Sequence, residues 1–267
     1  MQQRLGSVAP NVEEVGLSGH SKWHSIKHKK GATDKRRGQL FSKLARAIIV
    51  AARDGGPDPA GNLALQNAIE KAREASVPKE NIERAIARGA GAAGDGDAYE
   101  HVTYEGYGPG GIALFVEALT DNRNRTASEV RHVFARCDGS LGESGSVAWL
   151  FERAGLVIVE AEAVDEDELM LAAADGGADD VGRDGSVYQV TCAPEALAEV
   201  RRAIENAGIR VESAQLTMLP KTSVMVEDDG AARTIVRLME GLEDLDDVQD
   251  VYANFDIPEA VLEAATE

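Results

Sequence analysis

The glycine-rich run from Gly89 to Asp97, GAGAAGDGD, divides the chain into two parts that follow different hydrophobic periods. Before it, apolar residues recur at the three- and four-residue spacing of helices; after it, they alternate in the manner of strands. A run so rich in glycine has little side chain to bury and few backbone restraints, and reads as a linker. The expected fold class is therefore α+β, with the helical part segregated at the N-terminal side.

On that side, Phe41, Leu44, Ala45, Ile48 and Ala52 form one helical stripe within Asp34 to Arg53. Asp54-Gly55-Gly56-Pro57 stops this helix. A second helix carries Leu65, Ala68, Ile69 and Ala72 inward and ends before Pro78. Pro78 suits the first turn of a third, in which Ile82 and Ile86 face the core and Gly89 caps the end. The reading is a basic helical bundle over residues 19–90, preceded by a flexible extension, residues 1–18, that lacks periodicity.

After the linker, Val102 to Glu105 and Ile112 to Val116 read as strands joined through Gly108-Pro109-Gly110-Gly111, followed by a helix from about Thr126 to Arg136. Residues 155–219 then follow a βαββαβ order, the ferredoxin-like plan, complete in itself. Asp165 with Glu168 makes a capping-box-like start for its first helix, and Leu197, Val200 and Ile204 line the second. A strand near Ser223 to Val226, a helix with Ile235, Leu238, Met239 and Leu242, and a strand near Val248 to Phe255 close the pattern. The first ββα segment cannot cover its own sheet, so the last part is expected to return to it. That gives three domains: the helical bundle, a discontinuous α/β domain of residues 97–154 and 220–258, and an inserted ferredoxin-like domain of residues 155–219.

Charge is segregated as sharply as period. From His20 to Arg53 there are ten Lys or Arg (Lys22, Lys27, Lys29, Lys30, Lys35, Arg36, Arg37, Lys43, Arg46 and Arg53) against the single acid Asp34, in a protein of formal net charge −18. From Gly96 to Glu267 there are 12 basic and 36 acidic residues. The second part would repel nucleic acid, whereas a single-sign basic block is the footprint of a phosphate-binding surface. Lys35, Arg36, Lys43, Arg46 and Arg53 fall on the arc opposite the apolar stripe and are expected to face solvent. With Lys22, Lys27, His28, Lys29, Lys30 and Arg37 they make up the expected nucleic-acid-binding set. Trp23 serves either as a base-stacking platform or as a core anchor. The plainer reading, lysines kept for solubility, does not explain why the opposite sign is held elsewhere.

Other constellations carry less. His20, His24 and His28 would align on a helix, but Lys22, Lys27, Lys29 and Lys30 would repel a divalent cation, so neither metal nor cofactor is expected. Gly108 to Gly111 lacks the lysine and hydroxyl of a phosphate loop and reads as a hairpin turn. Asn122, Arg123, Asn124 and Arg125 place two guanidiniums and two amides at a strand-to-helix junction, a second ligand contact, with Asn124 or Thr126 as helix cap. Cys137 and Cys192 belong to no metal or disulfide spacing, which points to a reducing compartment and a cytoplasmic location. No apolar run reaches the roughly 18 residues of a membrane span. GxSxG, HExxH and CxxC are absent, and no enzymatic activity is expected.

Several longer motifs carry a resemblance. Gly19-His20-Ser21-Lys22-Trp23, Ile26-Lys27-His28-Lys29-Lys30, Tyr104 to Gly111 (YEGYGPGG), Leu119 to Thr126 (LTDNRNRT) and Asn254-Phe255-Asp256-Ile257 together are similar to the YebC family, over about Gly19 to Pro258. The resemblance implies three domains, a helical one and two α/β ones. It also implies a DNA-binding transcriptional regulator or, as in the mitochondrial translational activator of cytochrome oxidase, a ribosome-linked translation factor. Expected partners are DNA and/or ribosomal RNA, which Lys and Arg serve alike, with a further protein partner at the acidic domains. His24 departs from the small or polar residue expected there.

Overall fold

The structure, a computed structural model, describes residues 34–91 and 99–266. The expected extension and residues 92–97 of the expected linker lie outside them. The described residues divide into two compact units, residues 154–217 forming one and the described residues of 34–153 and 218–266 the other.

The larger unit begins with three helices, α1 (Asp34–Gly55), α2 (Leu63–Glu74) and α3 (Lys79–Gly89). Ile48, Ile49 and Ala52 of α1 meet Leu65, Ala68, Ile69 and Ala72 of α2 and Ile82 and Ala85 of α3 in one core. Buried Asn62 fixes the α1–α2 turn: its Oδ1 accepts the Leu65 amide at 3.1 Å, while its Nδ2 donates to Ala51 O at 2.7 Å and Gly56 O at 2.8 Å. One side chain thus satisfies helix-end groups that would otherwise be orphaned. Gly89 is not the left-handed cap expected from the sequence. It is the last residue of α3, where a Cβ would lie 2.3 Å from Ile49 O, so glycine is there for close helix approach. The positive φ, 78°, belongs to Gly91.

A four-stranded sheet follows in the order β3-β1-β2-β9, with β1 Glu100–Tyr107, β2 Ala113–Thr120, β3 Ser140–Leu141 and β9 Val248–Ala253. β1 and β2 are antiparallel in the register Tyr104↔Val116, and β9 pairs with the other edge of β2, also antiparallel. The turn between β1 and β2 puts Gly110 and Gly111 at φ 72° and 77°, which only glycine adopts cheaply. Helices α4 (Arg123–Arg136), α7 (Asp229–Glu243) and α8 (Glu259–Thr266) cover one face, where Val130, Phe134, Ile235, Leu238, Met239, Leu242 and Leu262 bury Val102, Leu114 and Val116. On the other face Phe115, Tyr252, Phe151 and Val147 cluster. Asn254 ties the C-terminal end in, accepting the Ala113 amide at 2.8 Å and donating to Thr222 O at 3.2 Å. The strand expected near Ser223 to Val226 is the short β8 (Val224–Met225); it pairs in parallel with β10 (Phe255–Asp256) as a separate ribbon.

The smaller unit runs β4 (Phe151–Glu160), α5 (Glu166–Asp175), β5 (Asp180–Asp184), β6 (Val187–Cys192), α6 (Leu197–Asn206) and β7 (Val211–Pro220), with sheet order β5-β6-β4-β7. β6 is antiparallel to β4 and to β5, and Leu169, Ala173, Val200 and Ile204 of the helices bury Val157, Val159, Tyr188 and Val190. Asp165 caps α5, accepting from the Asp167 and Glu168 amides. Helices and antiparallel sheets together make the chain an α+β protein.

Candidate functional site

The basic arc of α1 is only partly presented to water. Lys43 Nζ donates to Glu243 O at 2.5 Å, Gln39 Nε2 to Asp244 O at 3.3 Å, and Arg46 to Asp246 O. Glu243 ends α7 and Asp244 is its C-cap, so Lys43 and Gln39 meet helix-end carbonyls that have no partner within the helix, at the negative end of its dipole. Arg46 also lies over the Tyr99 ring at 5.5 Å. Arg53 bonds Asp54 Oδ1 and Tyr99 O, each at 2.8 Å. The expectation that Lys43 and Arg46 face solvent is therefore corrected: that part of the arc meets the α7 end and the residues around Tyr99, and these two cations hold the helices to the α/β part; Arg53 is exposed, as expected.

At the centre of that junction is Asp247, 2% exposed. Its Oδ1 lies 3.0 Å from Arg46 Nη1, and its Oδ2 accepts from Arg125 Nη2 at 2.6 Å. The Thr120 and Thr126 hydroxyls, themselves 2.7 Å apart, lie 3.1 and 2.7 Å from the same Oδ2. Burial pushes the Asp247 carboxyl up, but the hydrogen bonds from Arg125, Thr126 and Thr120 outweigh it and hold the group below the usual carboxylate range. In turn, hydrogen bonds to Asp247 and Asp121 raise Arg125 above its ordinary value.

Asn122 and Arg125 take part in this arrangement, while all four residues of the Asn122 to Arg125 run are exposed. Asn122, and not Asn124 or Thr126, caps α4, accepting the Arg125 amide at 3.1 Å, because the helix begins at Arg123, three residues earlier than expected. Arg125 pairs with Asp121 at 2.7 Å as well as with Asp247. The Arg123 carbonyl accepts from Tyr104 Oη at 3.3 Å, and its side chain lies 3.7 Å from Glu100. Asn124 is exposed.

Of the remaining expected contacts, Arg37 is exposed, with its guanidinium carbon 5.9 Å above the centre of the Phe41 ring. Lys22, Trp23, Lys27, His28, Lys29 and Lys30 lie outside the described residues, as do the side chains of Lys35 and Arg36.

Sequence reasoning missed a second buried carboxylate. Glu105, within the YEGYGPGG motif, accepts the amides of Gly145, Val147 and Ala148 at 2.6, 2.7 and 2.8 Å. Burial raises its carboxyl, but the three backbone donors hold it below the usual range. The loop so fixed presents Trp149, 66% exposed, whose indole N–H shares the Ser146 carbonyl with the Tyr107 hydroxyl. Alternation gave no such signal, since it sets Glu105 on the face of exposed Thr103 and Tyr107, opposite buried Val102 and Tyr104. Among the described residues no group of three or more His, Cys, Asp or Glu could hold a metal ion, and no helix is long and apolar enough to cross a membrane.

Residues 21–92 match the family model of the TACO1/YebC protein N-terminal domain, and residues 99–255 that of the TACO1/YebC second and third domain. A "Probable transcriptional regulatory protein" of Rubrobacter xylanophilus is 57% identical over 246 residues, 92% of this chain and 98% of the relative. One of Acidothermus cellulolyticus, with the same description, is 55% identical over 246 residues, 92% and 99% of the two chains. The crystal structure of a conserved hypothetical protein from Aquifex aeolicus superposes with a TM-score of 0.78 at 51% identity, covering 89% of this chain and 97% of that one.

Proposed function

The chain belongs to the TACO1/YebC family, and from that premise we propose that it is a non-enzymatic, nucleic-acid-binding regulator of gene expression acting in the cytoplasm. The observation that carries this reading is the sign of charge: ten cations against one acid in residues 20–53 of a chain at −18 overall. Such a block costs self-repulsion and is retained where a polyanion relieves it. Lys43 and Arg46 anchor the helices on the α/β part, and the cations from Lys22 to Arg37 are left to engage phosphates. The relatives' description as transcriptional regulatory proteins favours DNA as the target. The acidic α/β part then faces water or a basic protein partner.

Crosslinking in cells followed by sequencing of bound DNA and RNA tests this. Enriched promoter DNA that disappears in a Lys27→Glu, Lys29→Glu, Lys30→Glu variant is the expected result. Enrichment of ribosomal RNA alone would move the protein from transcription to translation, and no enrichment over background would remove the proposal.

A further inference from the structure

A groove of about 250 Å³ lies between α1 and α3 in the basic helical part. Phe41, Ala45 and Ile49 supply an apolar floor, and Asn81, Arg84 and Arg88 stand on the α3 side. No lining residue is acidic, in a protein with 46 Asp and Glu against 28 Lys and Arg. Arg84 is exposed and reaches Asn81 Oδ1 at 3.4 Å, and the Arg37 guanidinium is stacked on the Phe41 ring. An aromatic face with a cation already upon it, beside two further guanidiniums, suits a ligand that joins a planar apolar body to an anionic group. The volume is below that of sites for drug-sized molecules and limits the planar part to about one ring system.

We propose that this groove takes one unpaired nucleotide of a single-stranded segment, its base against Phe41 and Arg37 and its phosphate at Arg84 and Arg88. A base inside a duplex offers only its edges, whereas an unpaired one can turn its face into a groove of this kind. The inference rests on the nucleic-acid binding proposed above and adds to it a preference for unpaired strand, carried by a place on the helices distinct from the Lys22 to Lys30 cations in sequence.

The test is fluorescence anisotropy on the full chain at one fixed salt concentration, with a labelled single strand of about twelve nucleotides and its duplex as probes. Ser42→Trp fills the groove from an exposed position, and Phe41→Leu removes the aromatic face while keeping its apolar packing; neither changes charge. Each should weaken single-strand binding about fivefold or more and leave duplex binding within about twofold. Arg84→Gln, an exposed change that leaves the helical core untouched, provides a further check and should weaken single-strand binding while making its log-log salt slope shallower by about 0.7. Wild-type single-strand affinity in all three variants, with nucleic acid still bound, overturns the groove assignment alone. Failure of the wild-type protein to bind either probe overturns the reading on which it rests, and the groove assignment with it.

Discussion

Arg46 Nη1 lies 3.0 Å from Asp247 Oδ1 across 201 residues of sequence, and the same carboxylate holds Arg125 with its other oxygen. A buried anion between two guanidiniums fixes α1 against both the start of α4 and the start of β9. Asp247→Ala should lower stability by about 2–3 kcal/mol, since it removes several hydrogen bonds to a charged acceptor while the partly exposed arginines regain water. Arg46→Ala, which leaves Asp247 its Arg125 and threonine donors, should cost less, about 1 kcal/mol. Urea unfolding of the two variants gives the comparison; equal midpoints would mean that the carboxylate is not the shared anchor.

Acid should loosen the same junction. Asp247 and Glu105 are both held below the usual carboxylate range, so their contributions to stability are fully present above the unfolded-state pKa near 4 and are lost as pH falls through the lower folded values. Hydrogen exchange followed from pH 5 downward should show wild-type protection in α1 and in residues 142–149 falling toward the lower levels that Asp247→Asn and Glu105→Gln, which lack the titrating groups, already have at pH 5. Identical acid profiles would contradict this assignment.

Glu117 carries the opposite sign. Burial and the facing Asp250, its cross-strand partner, push its carboxyl up, against the lowering effects of Arg153, the Tyr252 hydroxyl and His101. Its contribution is present below the unfolded pKa and is lost as pH rises through the folded one. Glu117→Gln keeps an acceptor for Tyr252 and removes the like charge, so it should raise the thermal midpoint at pH 7 by about 1–3 °C and change it little at pH 4. A lower midpoint at pH 7 would show that the Arg153 pairing dominates.

Asn62→Ala removes a helix cap and both donors that hold the α1–α2 turn. The expected cost is about 1–3 kcal/mol, concentrated in the helical part. Exchange protection in α2 should fall while that in β1 and β2 is kept; a uniform loss would mean that the helices and sheet unfold as one.

Local patterns in the sequence carried most of the elements. Alternation through Val102 to Glu105 and Ile112 to Val116 marks β1 and β2, and the stripe Phe41, Leu44, Ala45, Ile48, Ala52 marks the core face of α1. The junction was not legible, because a helical period identifies the first buried face and leaves a second indistinguishable from a solvated one. Lys43 and Arg46 read as solvent-facing until the end of α7 is placed against them. Asp247 sits in the run Asp244-Leu245-Asp246-Asp247, which reads as loop acids; its burial is decided by Arg46 and Arg125, far away in sequence. In the same way, the pairing of Arg125 with Asp121 and Asp247 is visible only once the fold brings Asp247 to it.

The central claim is that the cations from Lys22 to Arg37 bind phosphate, whereas Lys43 and Arg46 hold the fold. Anisotropy titrations of the full chain across a salt series measure it directly. Lys27→Glu, Lys29→Glu, Lys30→Glu together should weaken binding to every sequence and make the log-log salt slope shallower by about 2–3, at 0.7 to 0.9 per contact. Lys43→Gln with Arg46→Gln should lower stability and leave that slope close to wild type. A triple variant that keeps the wild-type slope and affinity would contradict the account.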